Sequence, residues 1–372
     1  MMAQRRSRFP LFALNSRLLC LSFIIVCLSL LLGSMGNGGK GGIRPAAAQA
    51  SPRYEVYLSR TASGASLYFL DVRTGLSTVV PANGEGHTPL RDGVLFRAVE
   101  GVKIAYPDGR VGLLSAIPPS SSAETVQLVT ASNGAWMAWS VTARRGLNTV
   151  SEVFMADARG ENQRSILFAS SPEGVGIIPL ALSDGGESLV YARVSDPTAA
   201  LPLLPTYGTA FRLDTASGQS TTLPEAAECP CAVGVSADGR WFGRLVPTSE
   251  GIELRLWDVI SGAAAVVPSG GRGDRAGNLL LTMAAGKALY LSGRALANGR
   301  IEYTLMLADL GTQSARPLSN EFRGIIRPLT LSADGESAIL VGVERDGTFK
   351  VTLSDGAVTT VSEAVYLGTV SD

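Results

Sequence analysis

The chain has 372 residues, 46% of them hydrophobic, with 42 glycines, a single histidine, and 32 basic side chains balancing 32 acidic ones. Residues 1–50 hold six of those bases and no acid, so 26 basic groups face 32 acidic ones over the remainder, which argues against nucleic acid as a partner. One histidine leaves little material for a His-built metal centre, and no metal or other cofactor is expected.

Taken in order, the chain opens with Arg5, Arg6, Arg8 and Arg17 ahead of an uncharged apolar run of 15 residues, 18–32. That is signal-peptide length, and short for a spanning helix unless residues 33–36 are added. Residues 1–36 therefore read as a signal peptide or membrane anchor, with cleavage open after Gly36 or after Ala50. Residues 37–53 read as a Gly/Ala-rich linker. The rest is expected outside the cytoplasm, whether secreted, periplasmic or anchored to the outer face of the cell membrane. A membrane contact is expected only through that N-terminal segment.

From residue 54 onward two turn signals alternate. The first is clearest in Leu331-Ser332-Ala333-Asp334-Gly335, where apolar runs flank an Asp-Gly turn, and near-copies surround Asp92, Asn133, Asp184, Asp238 and Ala285. These six positions are 41, 51, 54, 47 and 49 residues apart, a spacing that suits a four-stranded propeller blade. The second signal is an Asp-x-x-x-Gly-like turn at Asp71, Asp108, Asp157, Asp214, Asp258, Asp309 and Asp355. Six copies against seven is the pattern of a closed ring in which the chain ends interrupt one blade. Residues 364–370 are then free to pair beside residues 54–58 and leave no bare edge. The expected fold is all-β, a seven-bladed β-propeller of four-stranded antiparallel blades over residues 54–370, with an insertion at 196–208 between the second and third strands of blade 4.

The repeated Ser-x-Asp-Gly turn, a strand, then Asp-x-x-x-Gly before a short last strand, together with Trp257-Asp258 closing a strand, resemble the secreted TolB-like and WD-repeat-like propellers of bacteria. The resemblance covers residues 54–370 as an architecture. It implies a monomeric periplasmic binding scaffold that works with protein or peptide partners of the cell envelope. It also implies that inter-blade loops and second-to-third-strand loops share the ligand face, with the Asp-Gly turns on the opposite face.

On the implied loop face lie His87, Arg144, Arg145, Tyr207, Arg272 and Arg323, the candidate binding residues, and Cys229-Pro230-Cys231. Each has a plainer reading. His87 is a solvated loop histidine unless partners gather around it, Arg144 and Arg145 are a hairpin tip, and the Arg272-Gly273-Asp274 triplet is common by chance. Cys229 and Cys231 are the cysteines left outside the targeting segment, and in an oxidising compartment they are a disulfide candidate serving as a loop clip. Free thiols and a redox role stay open. No Gly-x-Ser-x-Gly motif occurs. The function expected is non-catalytic binding or scaffolding through the loop face. The alternative is a propeller enzyme, a lactonase-like or carbohydrate-active hydrolase, which needs carboxylates converging at the channel mouth; the inner-strand runs 178–182, 232–235 and 279–281 offer none.

Overall fold

A computed structural model describes residues 53–117, 119, 124–195, 203–224, 231–271, 273–320, 322, 324–332 and 334–371. The targeting segment, most of the linker, Arg272, Arg323 and Cys229 lie outside the described residues.

Seven four-stranded antiparallel sheets form the blades of a ring. In blades 2 to 7 the strands follow chain order from the channel outwards, beginning with inner strands Glu85–Pro89, Glu124–Thr130, Gly176–Leu182, Ala232–Val235, Arg275–Thr282 and Ile326–Leu331. Blade 1 differs. Its inner strand is the last one of the chain, Val365–Ser371, set against Arg53–Thr61, which is followed by Gly64–Asp71 and Ser77–Pro81. The ring is thus closed by the two ends of the described chain, as the unequal turn counts predict.

Both faces of each sheet meet a neighbouring blade, so the middle strands read as continuous apolar runs instead of alternating ones. Ser188–Val194 and Lys287–Ala295 are buried along most of their length, whereas the outer strand Ser220–Thr222 is exposed throughout. The core is a chain of inter-blade clusters. One runs continuously through blades 7, 1 and 2, from Val341 through Val365 and Phe69 to Phe96. Another joins blades 2 and 3 around Trp139 and Ile104.

Local chemistry explains the turns. In blade 5, Gly239 N–H donates to Ser236 O at 2.8 Å, Trp241 N–H donates to the Ser236 hydroxyl at 2.9 Å, and Arg240 N–H donates to Asp238 at 3.0 Å. Blade 7 repeats the set with Gly335, Ser337, Glu336, Ser332 and Asp334. Serine and aspartate brace the turn from both ends while glycine takes the left-handed conformation, φ 69° and 71° at Gly239 and Gly335. Blade 4 departs from the expected alignment. Its turn is Ser183 to Gly186, so Asp184 sits one place early and reaches across to blade 3, accepting from the Ser132 hydroxyl at 2.7 Å and Asn133 N–H at 3.1 Å. The contacts continue around the ring: Arg91 N–H donates to Gly134 O at 2.9 Å, and Ser371 N–H donates to Arg91 O at 2.8 Å. A Cβ on Gly134 would lie 2.4 Å from Arg91 N, so only glycine fits there.

At the outer turns Asp71, Asp214 and Asp309 accept backbone amides at 2.8 Å from Arg73, Ser217 and Thr312. These amides hold all three carboxyls below the ordinary range. Asp258 goes further: it is buried, and the Arg240 guanidinium donates to it at 2.6 and 2.9 Å, which lowers its pKa strongly.

Two outcomes are expected. Deleting residues 365–372 strips blade 1 of its inner strand, and calorimetry should then show loss of the single cooperative transition, with association through the bared edge in size-exclusion chromatography. Acid is the second. Because these carboxyls are depressed in the folded state, their contribution is complete above the unfolded value near pH ~4 and is lost as pH falls through the lower folded values. The urea midpoint should be lower at pH 3 than at pH 5, with a smaller fall in Asp258→Asn. A midpoint unchanged between pH 5 and 3 would refute this.

Candidate functional site

Strand polarity puts the inner-to-second and third-to-outer turns on one face of the ring and all other connections on the opposite, loop face. The described sequence candidates lie on the loop side but do not form one site. Arg144 and Arg145 are exposed at the tip of the hairpin between Trp136–Arg145 and Asn148–Asp157, the longest pair of strands. His87 is in the inner strand of blade 2, not in a solvated loop. It is half-buried, stacked on Phe96 with centroids 5.6 Å apart, and its Nε2 is 2.8 Å from Ala82 O. Burial lowers its pKa, so it stays neutral at physiological pH.

Tyr207 is buried, and burial raises the pKa of its phenol. Its backbone pairs with Cys231: Tyr207 N–H donates to Cys231 O at 2.8 Å and Cys231 N–H returns a bond at 3.2 Å. Cys231 carries a disulfide, while Cys229, its expected partner, lies outside the described residues. Arg244, on the second strand of blade 5 and fully buried, donates to Tyr207 O at 3.2 Å and to Gly208 O at 2.7 Å. Leu204 of the same insertion packs against the cluster between blades 6 and 7. A Cβ on Gly277 of blade 6 would come within 2.7 Å of it. The described part of the insertion, residues 203–208, thus touches blade 5 through Tyr207 and Gly208 and blade 6 through Leu204, and borders that side of the channel.

The channel has two chambers that share Val235. The smaller, about 200 Å³, lies under the insertion against Pro205 and Tyr207, and contains Arg327 of blade 7. The larger, about 1050 Å³, opens on the turn face, and every blade contributes to it. Its wall mixes apolar side chains, among them Leu280, Met283, Leu329 and Leu367 of blades 6, 7 and 1, with polar ones, among them Glu55 and Thr330 of blades 1 and 7 and Asn133, Asp184 and Asp238 of blades 3 to 5. The widest concavity thus sits on the face opposite the expected one, because the blade 4 insertion occupies the loop-face mouth.

Three carboxylates line this funnel, Glu55, Asp184 and Asp238. Each is held by its own surroundings: Glu55 accepts from the Tyr57 hydroxyl at 3.0 Å, Asp184 from blade 3, Asp238 from its own turn. Among the described residues no three His, Cys, Asp or Glu side chains gather as a metal-binding group.

Arg244 and Arg327 were not among the sequence candidates. Their signal is a lone arginine inside an apolar strand, Phe242-Gly243-Arg244-Leu245 and Ile326-Arg327-Pro328-Leu329.

No family model matches the chain, and no curated protein matches it. Among solved structures, an oligogalacturonate lyase in complex with manganese aligns at 10% identity over 81% of this chain and 86% of that one, with a TM-score of 0.58. The oligogalacturonate lyase of Vibrio parahaemolyticus aligns at 10% identity over 82% and 85%, TM-score 0.54. TolB from Acinetobacter baumannii aligns at 13% identity over 86% and 82%, TM-score 0.46. At such identities the likeness concerns the fold. The chain is a seven-bladed β-propeller. Its blade count and its closure by the last strand of the chain agree with the architecture expected from the repeated turns.

Replacing Arg244 with Met should take one of two donors from Tyr207 O and the guanidinium donor from part-buried Gly208 O, at a cost of roughly 1–3 kcal/mol in all. The check is the urea midpoint, with protease sensitivity expected to rise first in the blade 4 insertion; unchanged values would refute the bracing role.

Proposed function

We propose that this protein is an extracytoplasmic, non-catalytic binding propeller that holds a peptide segment of a cell-envelope protein in the funnel on its turn face. The observation that carries the reading is the funnel itself: about 1050 Å³, built by all seven blades, with leucines and polar side chains interspersed around its wall. An extended peptide presents apolar and polar side chains in alternation, and such a funnel offers a surface for both. The disulfide at Cys231 supports an oxidising compartment, as does the basic, then apolar, N-terminal sequence. Binding through a rigid ring costs little ordering, which suits a scaffold.

The enzyme alternative rests on Glu55, Asp184 and Asp238 in the funnel wall. Catalysis by paired carboxylates needs two of them free and facing one substrate bond. Here their hydrogen bonds are spent on Tyr57, on the Ser132 turn and on the Asp238 turn, which favours the binding reading.

A photo-crosslinking side chain in place of Thr330, exposed in the funnel wall, should give one discrete protein adduct in envelope preparations. The same probe at Arg144 should give none. An adduct from Arg144 alone would return the site to the loop face. No protein adduct from either position, together with turnover of a small substrate, would favour the enzyme.

A further inference from the structure

The smaller chamber holds a charge without a counter-charge. Arg327 lies on the inner strand of blade 7, between buried Ile326 and buried Pro328, so its own side chain is turned away from the blade interfaces and toward the channel. Water reaches the guanidinium along the channel, yet protein surrounds the channel on all sides, and this crowding weakens its hold on its proton relative to an ordinary arginine. None of the described residues lining the chamber is acidic. No hydrogen bond or ion pair reaches the Arg327 side chain from the described residues. Exposed to channel water and ringed by protein, a guanidinium with no carboxylate partner among the described residues is placed to take one from an entering ligand.

We propose that the chamber is a carboxylate-binding site, with Arg327 as the counter-charge. A guanidinium presents parallel N–H donors that match the two oxygens of a carboxylate, which distinguishes such a ligand from a halide. One positive charge in a mostly apolar pocket fits one negative charge and leaves a phosphate dianion undercompensated. Tyr207 lines the same chamber, and its phenol hydrogen-bonds no described residue, so it is available as a donor; its raised pKa keeps it protonated. Asn278 is held in the wall by a 2.8 Å bond from its side-chain N–H to Ile326 O. A volume of about 200 Å³ admits a small acid or the end of a chain, not a folded partner. The site stands independently of the peptide reading, since a free acid would serve as well as a C-terminus.

The test is calorimetric titration of the full chain in low-salt buffer with sodium propionate, with N-acetylated dialanine as the free acid, and with its amide. Both acids should bind and the amide should not. Arg327→Gln should weaken acid binding by at least about tenfold. Arg327→Lys should keep part of it, and Arg73→Gln, on an outer turn, should match wild type. Propionate binding as tightly as the peptide acid identifies a free acid as the ligand; a clear preference for the peptide identifies a chain terminus. With no acid present, Arg327→Gln should melt at or above the wild-type temperature, because it removes an uncompensated charge. Equal binding of acid and amide, no binding of either acid, unchanged affinity in Arg327→Gln, or a lower melting temperature for that variant would each overturn the site.

Discussion

The pairing of Val365–Ser371 with Arg53–Thr61 is the constraint on which the rest of the molecule depends. Six blades carry their own inner strand, and the seventh borrows its inner strand from the other end of the chain. Several contacts secure the seam. Tyr57 and Tyr366 pack with centroids 5.4 Å apart, the Thr348 hydroxyl donates to Ala364 O at 2.6 Å and accepts from Tyr366 N–H at 2.8 Å, and Ser371 reaches Arg91 of blade 2. The core cluster that crosses blades 7, 1 and 2 lies at this seam. Closing a ring over some 300 residues costs loop entropy that grows only slowly with length, so a modest set of contacts suffices.

Closure also shapes the channel. In blades 1, 2, 4, 6 and 7 the inner strand slips register against its neighbour, so that extra residues face a shorter partner segment. Those residues include Leu367, Leu180, Leu279 and Leu329, and all four line the channel chambers. A regular strand would send alternate side chains into the two blade interfaces. The bulges break that alternation and bring leucines to the axis. The apolar waist between the chambers is thus a product of strand geometry near the axis, and no separate plug is needed.

Blade number, turn positions and ring closure were legible because they rest on local chemistry: Ser-x-Asp-Gly carries its own hydrogen bonds wherever it occurs. Where a residue acts across blades, sequence reasoning fell short. Asp184 matches the turn motif by eye, yet it sits one place early and bonds to blade 3. The insertion of blade 4 is recognisable by its prolines, but its path over the channel depends on Leu204 meeting Gly277, a contact that nothing nearby in the chain announces. That path is what moves the open mouth to the turn face. Arg244 and Arg327 look alike as sequence, each a lone arginine in an apolar strand. Only the fold separates them, one bonded to the insertion's carbonyls and the other facing the channel.

Charge along the channel axis then follows from which residues the ring can tolerate where. At the wide mouth Glu55, Asp184 and Asp238 outnumber Arg53. Below the apolar waist Arg327 sits alone among lining residues that carry no acid. The resulting field runs from positive at the covered end to negative at the open end. It favours any occupant whose acidic end lies inward and whose neutral or basic part faces the mouth. This polarity arises from one arginine and three carboxylates, Glu55 on a strand and Asp184 and Asp238 in turns.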